Sequence, residues 1–470
     1  MRKKHLVSRR KFLKQASCAA VGSTTLFSTL LNLKSINAAS IFNSTVAAAG
    51  DYKALVCILL SGGADAFNML VPRTQEEYDI YAASRSNQAL DRDSLLSINV
   101  QNTPGREFGL HPSMSHCRNL FNNGKLAFIS NIGTLIQHIN KTQFYNGTVP
   151  VPLGLYSHAD QQMHWQTAVP HDRVAAGWGG KIADLLISSN QNQNISLNLS
   201  LSGTNIFQSG NETVEYSLDP YSGSLGFRET WGWTGETQMM SVNSMLDKTY
   251  LDPFQQSYKE VVRISRDGHN LINGALENLA EFNTVFSDTY LSESFKMVAK
   301  MIAVRQELGM SRQIFFIEYG GWDHHDELLN NQAEMLTELD NALHEFYSVI
   351  DQELNLADKV TTFNLSEFSR TLTSNGNGTD HAWGTNVFVL GGAVDGGRIL
   401  GNYPLLNLGD DNPIEVGGGV LIPTTSADEY FAELAMWFGV PDSELSLLFP
   451  NLTNFYTPGS GNPLGFLDLS

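Results

Sequence analysis

The feature that most constrains this chain is a series of short, continuous apolar runs that close on glycine or on a carboxylate. Lys53–Leu60 (KALVCILL) closes on Ser61-Gly62-Gly63-Ala64-Asp65, and Leu126–Ile132 (LAFISNI) is a second run. Gln313–Tyr319 (QIFFIEY) closes on Gly320-Gly321-Trp322-Asp323-His324-His325, and Lys359–Leu365 closes on Ser366-Glu367-Phe368-Ser369-Arg370. Val387–Leu390 leads into a glycine-rich turn, Gly391–Gly397. Runs this short and this apolar read as strands buried on both faces. Helix-like stretches lie between them at Pro112–Lys125, Asp160–Thr167, Gly177–Ser188 and Tyr258–Leu308. After His325, Leu329, Leu336, Leu339, Leu343, Phe346 and Ile350 recur at the spacing of one helix face. Alternating strands and helices predict an α/β fold, a three-layer α/β/α sandwich around a mostly parallel sheet.

Residues 189–250 are rich in Asn, Gln, Ser, Thr and Gly and read as a polar insertion or cap. Within them Ile195–Ser202 alternates like a half-buried strand, and Tyr216, Trp231 and Trp233 form an aromatic group. No repeat and no linker divides the rest, so residues 39–470 are expected to form a single domain.

The first 38 residues set the compartment. Ser8-Arg9-Arg10-Lys11-Phe12-Leu13-Lys14 precedes a mildly apolar stretch, Gln15–Leu33, and the small residues Ala38-Ala39-Ser40. Paired arginines, a short apolar middle and a small-residue cleavage region predict a twin-arginine signal peptide at 1–38, read by the twin-arginine export machinery. The mature protein is then periplasmic or secreted, with no stable membrane span. Residues 1–38 hold eight basic side chains and no acid, so the formal charge of −18 becomes −26 without those eight. A body this acidic argues against nucleic acid and anionic lipid as partners and favours bound cations. Cys18 leaves with the leader, and Cys57 and Cys117 read as two buried thiols rather than a bridge.

Three strand ends carry carboxylates with imidazoles nearby: Asp65; Asp323 with His324 and His325; and Glu367, followed by Asp380-His381. Strand carboxyl ends lie side by side in a parallel sheet, so these groups can meet although they span the chain. Carboxylates gathered together repel unless a cation sits between them. One or two divalent metal ions are therefore expected on Asp65, Asp323, His325, Glu367, Asp380 and His381, with zinc, calcium and magnesium all open. The plain alternatives are a helix-capping Asp323 and hydrogen-bonded loop histidines. Ser157, in Tyr156-Ser157-His158-Ala159-Asp160, opens a helix and can be a metal-activated attacking hydroxyl or simply the helix cap. Arg370 can contact an anion or be an exposed structural arginine.

The motifs Ser61–Asn68 (SGGADAFN), Leu110–Met114 (LHPSM), Tyr156–Gln162 (YSHADQQ) with Trp165 and Thr167, Gly177–Leu186 (GWGGKIADLL), Glu318–Glu327 (EYGGWDHHDE), Ser366–Thr371 (SEFSRT), Asn377–Gly384 (NGTDHAWG) and Phe388–Gly397 (FVLGGAVDGG) follow one another in an order that resembles a family of twin-arginine-exported bacterial proteins of unknown function. That family is similar in fold to the alkaline phosphatase and sulfatase superfamily. The resemblance implies an alkaline-phosphatase-like sandwich with a metal centre at the strand ends, in which Asp65 is a ligand and Ser157 the nucleophile. It further implies Asp323 and His325 on the first metal, with His324 in reserve, and His381 as the last imidazole beside Asp380. Where the superfamily has an Asp-His pair this chain reads Glu367-Phe368, so one imidazole is missing there. That departure allows a single metal, an unusual second site or a scaffold without turnover.

The first reading is thus an exported metal-dependent hydrolase or transferase acting on a small phosphate or sulfate ester. The rival is a non-catalytic binding or assembly protein that grips a glycan or another exported protein through 189–250. A phosphomutase-like transferase, which needs a phosphorylated Ser157, is the third.

Overall fold

The computed structural model describes residues 51–192, 194–225 and 233–469; the leader, Cys18 and Trp231 lie outside them. Strands β1 (Lys53–Ser61), β2 (Leu70–Pro72), β3 (Leu96–Ile98), β4 (Phe108–Leu110), β5 (Leu126–Gly133), β6 (Asn198–Ser200) and β7 (Tyr216–Asp219) come first. They are followed by β8 (Gly223–Ser224), β9 (Arg312–Gly320), β10 (Val360–Leu365), β11 (Thr385–Gly391), β12 (Ile399–Gly401) and β13 (Thr425–Ser426). One large sheet runs β12-β5-β11-β10-β1-β9-β6-β7-β8, with β13 also on β5, and β2, β4 and β3 make a small separate sheet.

β1 is the central strand and pairs in parallel with β9 on one side and β10 on the other. β6 is parallel to β9 and β7, and β12 and β13 are parallel to β5. The mostly parallel expectation holds, with β11 running antiparallel to both β10 and β5. Every residue from Ala54 to Leu60 is buried, so both faces of β1 are covered. One helix group comprises Ser115–Asn122, Tyr290–Ala303 and Leu328–Ser348; the other comprises His158–Thr167, Trp178–Leu186 and Ala427–Phe438. Two helix layers around a sheet make the expected three-layer arrangement.

Local chemistry explains the principal helix. Leu336, Leu339, Leu343 and Phe346 are buried as their spacing requires. In the same helix Asp340 accepts from the backbone N–H groups of His116 and Cys117 at 2.9 and 2.7 Å, capping Ser115–Asn122, whose own N-cap, Met114, has no side-chain acceptor. Cys57 and Cys117 are buried free thiols.

The segment expected as a half-buried strand differs. Only Asn198–Ser200 is strand, and all three residues are buried, because β6 lies between β9 and β7 rather than at a solvent face. Residues 198–224 thus extend the main sheet, while 233–246 and 253–277 form two helices beyond it. Among the described residues no helix is long and apolar enough to cross a membrane.

The parallel register places Ser61 opposite Gly320 and Leu59 opposite Leu365, so the loops after β1, β9 and β10 emerge together. Gly62 makes the approach possible. Its φ is +119°, and a Cβ there would lie 2.5 Å from the backbone nitrogen of Asp323.

Candidate metal centre

After β9 the chain alternates. Trp322 and His324 turn inward and are buried, while Asp323 and His325 face outward on the same side. Aspartate and histidine two places apart thereby present a carboxylate oxygen and an imidazole nitrogen 3.0 Å from each other. His381 arrives from the loop after β10, where an isolated bridge pairs it with Arg370. His158 is the first residue of the helix His158–Thr167, directly after its cap Ser157.

The four side chains converge. Nε2 of His381 lies 3.0 Å from Nε2 of His158, 3.1 Å from Nε2 of His325 and 3.3 Å from Oδ1 of Asp323. The other Asp323 oxygen is 3.5 Å from His158 Nε2. Ligand atoms at roughly 2.0–2.1 Å from a tetrahedral zinc stand about 3.3 Å apart, so the spacing suits a common cation.

The opposite ring nitrogens decide which atoms are lone pairs. His158 Nδ1 donates to Glu367 Oε1 at 2.8 Å, His381 Nδ1 to the Tyr156 carbonyl at 2.8 Å, and His325 Nδ1 to Asp380 Oδ1 at 3.2 Å. Each acceptor holds its histidine in the Nδ1–H form, as outer partners of metal-bound histidines do. Three Nε2 lone pairs then face one another beside a carboxylate, an arrangement that requires a cation or a proton among them. Tyr156 is in the left-handed region, at φ +75°, where its carbonyl reaches His381.

The electrostatics follow from these partners. The hydrogen bond to Glu367 holds the His158 pKa above its ordinary value, and burial lowers that of His381. Burial acts to raise Asp323, but the hydrogen bond and charge of Arg370 outweigh it and keep the carboxyl below its usual range. Arg370 is itself buried, with Nη1 2.7 Å from Asp323 Oδ1 and Nε 3.3 Å from Thr379 Oγ1. It orients a carboxylate of the cluster rather than standing exposed.

The residues anticipated from the sequence divide three ways. Asp323, His325 and His381 converge. Glu367 and Asp380 stand behind the imidazoles as acceptors, and Glu367 Oε1 also receives Gly62 N–H at 2.8 Å and Gln162 Nε2 at 3.0 Å. Asp65 is fully buried in an ion pair with Arg85, which also donates to the Thr371 carbonyl at 2.8 Å. Burial raises the Asp65 pKa against the opposing charge of Arg85. Ser157 Oγ accepts from the Asp160 N–H at 3.5 Å, a long cap contact. His324, the reserve, is buried with its pKa pushed down to about 4 by burial and by Arg370.

Sequence reasoning missed His158. Its signal was an imidazole directly after the residue expected to open a helix at the site. It adds an imidazole to a centre that lacks one at Phe368, and the Phe368 ring packs against His381 and His158, 4.9 Å from each.

A family model described as protein of unknown function (DUF1501) matches residues 52–417. No curated protein matches the chain. Among solved structures, the chain is similar to Ps i-CgsB in complex with k-i-k-neocarrahexaose, at 11% identity over 88% of this chain and 77% of that one, TM-score 0.30. It is similar to the PsFucS1 sulfatase from Pseudoalteromonas sp., at 10% identity over 86% and 71%, TM-score 0.32. A mutant of the alkaline phosphatase PafA gives 10% identity over 68% and 63%, TM-score 0.24.

Proposed function

The chain belongs to the DUF1501 family, and within it we propose a metal-dependent hydrolase or transferase acting on phosphate or sulfate esters. The observation that carries the metal is the convergence of three acceptor-only Nε2 atoms on Asp323. His158, Asp323, His325 and His381 would hold one divalent cation, with Glu367 and Asp380 orienting two of the imidazoles. When bound, the cation supplies Lewis-acid polarisation of an ester oxygen.

The ester class comes from the resemblance to the alkaline phosphatase and sulfatase superfamily. Ser157 is adjacent to His158 in the chain, is half-buried, and is held only by the long contact to Asp160. In the proposed reaction its oxygen forms the new bond to phosphorus or sulfur, the ester bond to the leaving oxygen breaks, and the hydroxyl proton leaves with the alcohol. Export by the twin-arginine route follows from residues 1–38, and folding before export would let the chain leave with its metal in place.

The test is metal analysis of the exported protein with turnover of aryl phosphate and sulfate esters. Bound divalent metal, turnover, and loss of both in Asp323→Ala and His381→Ala are expected. Ser157→Ala should keep the metal and lose turnover. A protein that neither binds metal nor turns over any ester after metal addition sinks the proposal.

A further inference from the structure

The two helices Trp233–Leu246 and Pro253–Glu277 carry a large apolar surface that the rest of the described chain does not cover. Not one residue of 235–267 is buried. The longer helix, about 37 Å at its 25 residues, is anchored only by its far half. There Gly268, Ile272 and Ala275 are buried, and Asn273 Oδ1 accepts from the Ser224 N–H of β8 at 3.2 Å.

The near half has an amphipathic pattern with nothing against it. Phe254, Tyr258, Val261 and Ile264 follow at intervals of four, three and three, one face of a helix, and Phe254 and Tyr258 are 85% and 73% exposed. Leu251 in the connection is fully exposed and Met240 of the first helix mostly so. A helix gains most of its stability by burying its apolar face, so two helices that bury none of theirs lack a partner surface.

We infer that this hairpin is the interface through which two copies of the chain associate, each contributing two helices to a four-helix packing. Two observations select a second copy. The first is area. Those six side chains expose on the order of 700–800 Å², counting an aromatic residue as about 200 Å². That exceeds the largest patch of an ordinary monomer, roughly 300–600 Å², and approaches the about 800 Å² per partner of a standard interface. The second is charge. Residues 233–270 hold five acids and four bases, near balance in a chain whose net charge is −18. Glu260 pairs with Lys259 at 3.5 Å and also with Arg263. This near-neutral surface lets two strongly acidic bodies meet without mutual repulsion.

Sedimentation equilibrium of the full exported protein reads this directly. A dimer is expected at about 50 µM, with its dissociation constant raised at least roughly 100-fold by Phe254→Glu combined with Val261→Glu, and with metal content unchanged. A monomeric wild type, or a dimer indifferent to the two glutamates, overturns the inference. Hydrogen exchange of the wild type tests it without a variant. Protection of 236–264 that is lost on dilution supports the dimer. Protection independent of concentration, or none at any concentration, assigns the surface to other residues of the same chain or to no copy at all, and overturns it.

Discussion

The Nδ1–H of His158 donates to Glu367 Oε1 across 2.8 Å, joining the first residue of a helix to the loop after β10. The bond presents the opposite nitrogen of the ring to His381, 3.0 Å away. Glu367, anticipated as a ligand, is thereby an orienting group. Glu367→Gln should leave the fold intact and weaken metal affinity by roughly 10–100-fold. Calorimetric titration with zinc, calcium and magnesium measures it, and an unchanged affinity would remove Glu367 from the centre.

Asp65 and Arg85 are a fully buried ion pair. Asp65→Asn leaves the guanidinium buried and uncompensated, at a cost of about 3–5 kcal/mol, and the added change Arg85→Met should recover much of it. Denaturant unfolding of the single and double variants gives the coupling. Metal content of the folded double variant should match the wild type; a fall would make Asp65 a ligand after all.

Glu433 lies wholly inside and accepts four backbone N–H groups, from Leu464 to Leu467, at 2.5–2.7 Å. One carboxylate thus fastens the last described segment to the helix Ala427–Phe438. Glu433→Ala should cost about 3 kcal/mol or more, because four buried donors lose their acceptor. Limited proteolysis should then cut first after residue 450, and resistance equal to wild type would contradict the assignment.

Glu429 closes the capping box of that helix, and burial pushes its pKa up to about 7 from 4.5. The folded state therefore holds this proton more tightly than the unfolded state. Its contribution is favourable below about pH 4.5 and is lost as pH rises through the window to about 7. Glu429→Gln should flatten that slope, so the variant's Tm relative to wild type should climb from pH 4.5 to 7 and stay level above. Parallel melting curves across the window would refute the shift.

Much of the fold was legible along the chain. Apolar runs such as Lys53–Leu60 and the helical spacing of Leu336, Leu339 and Leu343 are local patterns set by which faces must be buried. The Asp-x-His arrangement after β9 was legible for the same reason, since extended backbone places alternate residues on one side. β6 was misread as half-buried because alternation along eight residues carries no information about a neighbour on either edge.

By itself, then, the sequence determined the strands and helices, their alternation and the loops that carry the reactive groups, because those depend on side-chain polarity over a few neighbouring positions. Only the tertiary structure decided which groups meet. His158 and His381 are 223 residues apart, and His158 and Glu367 are 209 apart. Whether a carboxylate faces the centre, stands behind an imidazole as Glu367 does, or neutralises Arg85 as Asp65 does turns on displacements of about 3 Å between distant segments, which hydrogen-bond geometry resolves and composition does not.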